Sequence, residues 1–105
     1  MSKQKKRPAL SLELLEQTAD MLRLLAHPHR LKVIEFLEDH KDGAPVHEIM
    51  EHVGLPHAAT SQHLNQMKRV GLLCSERRAK EVLYAIADQR ALTILGCIRK
   101  QQEAK

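Results

Sequence analysis

At 105 residues and a formal charge of +4, the chain has length for one modest core, and its basic balance suits an acidic partner. Only 2% of it is aromatic against 43% hydrophobic, which excludes an aromatic-rich core and leaves an aliphatic one. No apolar run approaches the roughly 20 residues of a membrane span; there is no apolar signal core, and Cys74 and Cys97 fit neither a disulfide framework nor a zinc site, so a cytoplasmic setting is expected.

Residues 1–10 open with MSKQKKRP and read as a basic, disordered tail. One domain is expected over 11–102. Ser11 can cap a first helix that runs to about Ala26, with Glu13 in its first turn favourable to the helix dipole. Leu14, Leu15, Thr18, Leu22 and Leu25 form one stripe, and Met21 and Leu24 widen it beyond what one partner helix covers. That surplus points to burial in a second subunit. His27-Pro28-His29-Arg30 interrupts the pattern, because Pro28 disfavours helical geometry at His27 and suits the start of the next helix. The second helix, about Pro28 to Asp39, is expected to bury Leu31, Ile34 and Leu37 with Val33 and Phe36 alongside. Lys41 to Pro45 reads as a loop.

Val46 to Gly71 reads as two helices joined by a tight turn. The first, to about Val53, has Ile49, Met50 and Val53 at helical spacing, and Gly54 sits where a helix stop wants positive φ. Leu55 plugs the turn, and Pro56 suits the next helix start. The second helix, about His57 to Val70, has Thr60, Leu64, Met67 and Val70 inward. Its outer face carries His57, Ala58, Ser61, Gln62, Asn65 and Arg69 and no acid. A solvated helix face ordinarily mixes both charges. Small and hydrogen-bonding side chains are what a helix in the DNA major groove needs. After Gly71 the period changes: Leu72 to Arg77 reads as a strand, Arg78-Ala79-Lys80-Glu81 as a charged tip, and Val82 to Ile86 as a returning strand of ambiguous facing. A last helix runs from Asp88, a plausible N-cap, to about Gln102, with Ala91, Leu92, Ile94, Leu95 and Ile98 on its apolar face.

This order resembles the winged helix-turn-helix regulators of the ArsR type, also called ArsR/SmtB. Leu25 to Ile34 is similar to that family's A-x-P-x-R-L-x-I segment, and Leu55 to Leu64 to its recognition-helix signature. Gly71-Leu72-Leu73, Arg77-Arg78 and Tyr84 match the entry, basic hairpin and aromatic exit of its wing. The likeness covers about residues 11–101. It implies a mainly α fold with a small β-hairpin (α-α-α-α-β-β-α) and a homodimer built from the first and last helices, with Leu15, Leu22, Leu92, Leu95 and Ile98 at the interface. It further implies that double-stranded DNA is the partner and the operator pseudo-palindromic. His57, Ala58, Ser61 and Gln62 match the base-reading face, although His57 stands where the family usually has glutamine. Asn65 and Arg69 would reach phosphate, and Arg77, Arg78 and Lys80 the flanking backbone or minor groove. His63 and Arg30 are read as structural.

The family's usual metal sites are missing. The helix before the recognition helix has no cysteine; on the last helix Asp88 is kept, but Arg90, Gln101 and Ala104 replace the histidines. His47 and His52 are badly spaced to chelate. Its usual redox pair is also incomplete, Glu35 lying near the position of the missing cysteine. No metal or other cofactor is expected. The sequence holds no phosphate-binding glycine loop and no nucleophile–base pair, so it is read as a DNA-binding transcriptional regulator, in first place a repressor, and not an enzyme. Two alternatives stay open: a dimeric protein-interaction module of the same fold, and a thiol- or metal-responsive repressor with a non-standard site.

Overall fold

The computed structural model describes residues 7–104; residues 1–6, most of the expected basic tail, lie outside the described residues, and 7–11 are irregular. Five helices and three short strands follow: α1 Leu12–Leu25, α2 Pro28–Glu38, β1 Ala44–Pro45, α3 Val46–Val53, α4 His57–Arg69, β2 Leu73–Arg78, β3 Glu81–Ile86 and α5 Arg90–Glu103. Helices α2 to α4 pack around an aliphatic core, with a small antiparallel sheet, ordered β1-β3-β2, along one side.

Local chemistry sets the boundaries. Ser11 Oγ accepts from the Leu14 N–H at 3.1 Å and opens α1. His27 opens α2, its Nδ1 accepting from the His29 N–H at 3.2 Å, and Pro28 follows at the first helical position. Gly54 closes α3 at φ 83°, with its N–H donating to the Met50 carbonyl at 2.8 Å. Asp88 lies two residues ahead of α5 rather than at its immediate cap, yet its carboxylate still accepts from the Arg90 N–H at 3.0 Å.

Several side chains sit differently from the sequence expectation. In α2 it is Val33 that joins Ile34 and Leu37 in the core, and Leu31 is half-buried, so the buried arc is rotated by part of a turn. Val70 belongs to no inner stripe, because α4 ends at Arg69 and leaves it 43% exposed. Leu95, expected at a subunit surface, is 6% exposed and packs in the core of its own chain. Leu92 is half-buried against that core. By contrast Leu15, Leu22 and Ile98 are 45%, 47% and 46% exposed, as are Leu12 and Leu14 at 70% and 45%. These exposed apolar side chains lie on α1 and, for Ile98, on α5.

The expected loop 41–45 contains a strand. Ala44 pairs with Tyr84 and Pro45 with Leu83, which stitches the segment before α3 to the inner strand of the hairpin. Gly43 makes the approach possible. At φ +96° it lies so close that a Cβ would stand 3.1 Å from Leu83 Cβ and 3.3 Å from the Tyr84 carbonyl oxygen. The hairpin itself runs further than expected, with Arg78 paired to Glu81 and only Ala79 and Lys80 at the tip. Facing in β3 is settled by Tyr84, which is 8% exposed and turned into the core.

Candidate nucleic-acid interface

The outer side of α4 is assembled from the bottom of the turn upward. Pro56 precedes the helix with no side-chain cap, and the first turn has no acidic residue, so the positive end of the helix is left open. His57, Ala58, Gln62, Asn65 and Arg69 are exposed and Ser61 is half-buried. Lys68 joins Arg69 in the last turn as a second exposed cation. Helical spacing places it on the same outer side, in angle between His57 and Ser61, and the sequence expectation does not include it. The inner side is anchored by Thr60, Leu64 and Met67, each at most 1% exposed. The Thr60 hydroxyl donates to the Pro56 carbonyl at 2.9 Å, so its burial leaves no polar atom unpaired.

At the wing, Arg77, Arg78 and Lys80 are all exposed near the end of the hairpin. Arg78 lies 3.6 Å from Glu76, an exposed pair too weak to hold the guanidinium in place. The wing and α4 meet at Asn65, whose Oδ1 accepts from the Tyr84 hydroxyl at 3.4 Å. Asn65 thus has one face committed to the hairpin and its amide NH2 free to donate, a tie that spacing along α4 does not reveal.

Arg30 secures the helix from behind. Its guanidinium donates to the Leu24 carbonyl at 2.8 Å, to His63 Nδ1 at 2.9 Å and to Gln66 Oε1, joining α1, α2 and α4. Burial lowers the His63 pKa, and the positive Arg30 and the neighbouring His27 and His29 lower it further. Both effects favour the neutral ring. Arg30 and His63 are half-buried in the helix corner and bonded to each other.

Among the described residues, no three His, Cys, Asp or Glu side chains gather as a metal ligand set. At the start of α5, Arg90 lies 2.6 Å from the Asp88 carboxylate, also reaching the Thr18 hydroxyl at 3.1 Å. The hydrogen bonds from Arg90 hold Asp88 below the usual carboxylate range against the opposing effect of burial. A guanidinium thus engages the carboxylate that the family pattern would give to a metal. His47 faces Glu81 at 3.2 Å and His52 faces Glu35 at 3.4 Å, on separate parts of the surface. Cys74 and Cys97 are both free and exposed. None of the described helices is long and apolar enough to cross a membrane.

Comparison with known proteins agrees with this geometry. The family described as "Helix-turn-helix domain" matches residues 25–75, from the end of α1 into β2. The chain is 34% identical over 84 residues to the HTH-type transcriptional regulator YgaV of Escherichia coli, covering 80% of this chain and 84% of that protein. It is 34% identical over 83 residues to the HTH-type transcriptional repressor SmtB of Mycobacterium tuberculosis, a match over 79% of this chain but 60% of that protein. The crystal structure of the transcriptional repressor PagR of Bacillus anthracis is similar at a TM-score of 0.75 and 32% identity, covering 84% of this chain and 99% of that one. With both sequence and fold shared across the helix-turn-helix and the wing, this chain is no enzyme and belongs to the ArsR/SmtB family of winged helix-turn-helix transcriptional regulators.

Proposed function

We propose that two copies of the chain pair through α1 and α5 and repress transcription in the cytoplasm by occupying a pseudo-palindromic operator, without a metal or other cofactor. Residues 11–102 form the reading and pairing unit in this account. The observation that carries it is the acid-free, exposed side of α4 with an uncapped, positive N-terminus, continued by the cations of the wing. His57, Ala58, Ser61 and Gln62 face the bases, where Gln62 suits adenine N6 and N7 and Ala58 a thymine methyl. Arg69, Lys68 and the free amide of Asn65 face phosphate, as do Arg77, Arg78 and Lys80. The exposed leucines of α1 with Ile98 supply the subunit contact, and Leu92 and Leu95 support it from beneath. Two such units place recognition helices in successive major grooves.

Fluorescence anisotropy of the purified protein on its own upstream DNA, across a salt series, tests this reading. Tight, site-selective binding unchanged by EDTA or reductant is expected. Sensitivity to EDTA would bring the histidines back as ligands, and sensitivity to reductant would implicate Cys74 or Cys97. Arg78→Ala should weaken binding to every sequence alike and reduce the salt slope by about 1. Gln62→Ala should cost roughly 1–3 kcal/mol and relax selectivity at one base pair, leaving the salt slope unchanged. A genomic selection that finds no preferred site would favour a protein-binding role for the same face.

A further inference from the structure

Arg30 makes three bonds, one to α1 and two to α4, and the one to His63 constrains chemistry as well as position. An arginine Nε–H can only donate. The 2.9 Å contact therefore requires a lone pair on His63 Nδ1, and a neutral ring then carries its proton on Nε2. The same logic applies next door. The His29 backbone N–H donates to His27 Nδ1, so that ring too must be unprotonated at Nδ1. The His27 and His63 rings stand 4.9 Å apart, and His27 and His29 5.4 Å apart. The charged and titratable groups that act on His63 are Arg30 of α2, His27 ahead of it and His29 in its first turn, and every one is basic. From α1 and α4 the neighbours are neutral acceptors, the Leu24 carbonyl and Gln66, which are bound to Arg30 itself. No carboxylate is among the groups acting on the ring to welcome a second positive charge.

We propose that Arg30 is a positioning residue for α4, and that the neutral His63 ring is the part of this clamp that protons can release. Protonating Nδ1 removes the acceptor and sets an imidazolium against the guanidinium, so α4 loses one of its two hydrogen bonds to Arg30 and gains a repulsion beside the other, at Gln66, while its apolar inner face stays packed. The inference rests on the reading of α4 as the recognition helix for its consequence in DNA binding, although the clamp itself does not depend on DNA. Neither Arg30 nor His63 lies on the outer row of His57, Ala58, Gln62 and Arg69. The direction is diagnostic. Protonation of His57, on the DNA side, would add a cation and strengthen binding. Loss of affinity on acidification must come from elsewhere.

Two readouts on the full-length protein decide the matter. In the free protein, amide and imidazole NMR resonances are followed from about pH 7.5 to about pH 5.0, spanning the ordinary histidine range and the region just below it. Amide shifts along α4 should move together with the His63 ring, and the movement should vanish in His63→Gln, whose amide oxygen can still accept from Arg30. In anisotropy over the same range, wild type should lose about tenfold in affinity, the equivalent of one pKa unit of coupling. His63→Gln should bind more weakly than wild type at the upper pH, yet lose less than about threefold to the lower one. Arg30→Lys, which keeps the charge and loses the fork, should weaken binding at every pH and flatten the profile. Parallel losses in wild type and His63→Gln, or α4 amides that stay still while His63 titrates, would overturn the proposal. If the protein bound no DNA at the upper pH, the DNA reading would fall, and the NMR titration would still decide the clamp.

Discussion

Leu64→Ala is expected to cost roughly 2–5 kcal/mol of folding free energy, the usual range for a leucine cut back to alanine in a closed core. Leu64 is 0% exposed and lies on the inner side of α4, which packs against α1, α3 and β2. Three elements therefore pack against the helix that loses the side chain, and a helix held from behind by Arg30 has little room to collapse. Against the roughly 5–15 kcal/mol that a domain of this size commonly has in total, the loss is large. Urea unfolding at fixed protein concentration measures it, the concentration mattering because subunit pairing adds to apparent stability. A change below about 1 kcal/mol would mean that the site relaxes far more than its burial allows.

Ala58→Glu should do the opposite, sparing the fold and abolishing the activity. Ala58 is exposed in the first turn of α4, where a carboxylate complements the open helix end and adds about 0.3–1 kcal/mol of stability. Placed against DNA, the same carboxylate meets phosphates and acceptor-rich base edges, and like-charge opposition in an interface costs several kcal/mol. A thermal melt should show Tm unchanged or raised, and anisotropy should show binding reduced to the non-specific level. Wild-type affinity in this variant would remove the outer face of α4 from the DNA contact.

Much of this architecture is written in short-range chemistry. Gly54 with Leu55-Pro56 fixes the turn between α3 and α4, because a left-handed stop and a residue without an N–H are local demands of the backbone. The inner stripe of α4 and the cap at Ser11 are legible for the same reason. What escaped the sequence reading depends on partners far along the chain. β1 is two residues long and exists only because β3 passes beside it, and Pro45 is a poor advertisement for a strand. Val33 displaced Leu31 from the core because both lie on the apolar arc of α2, and the angle at which the other helices approach decides between them. Leu95 shows the same limit on α5, whose apolar side is wide enough to serve both its own core and a neighbour. The residues of the outer row of α4 could be named from spacing. Their tethers could not: Tyr84 to Asn65 and Arg30 to His63 join positions 19 and 33 residues apart.

The pairing of Ala44 and Pro45 with β3 bears on how such proteins can be recombined. The hairpin is not a detachable accessory, since its inner strand is threaded against the residues that lead into α3, at a distance only Gly43 permits. A wing borrowed from a relative would arrive with a side chain shaped for a different neighbour at that crossing. Transplanting specificity from one regulator to another therefore means moving residues 43–86 as one cassette, with the crossovers placed in the turn before Gly43 and in the short link that leads into α5.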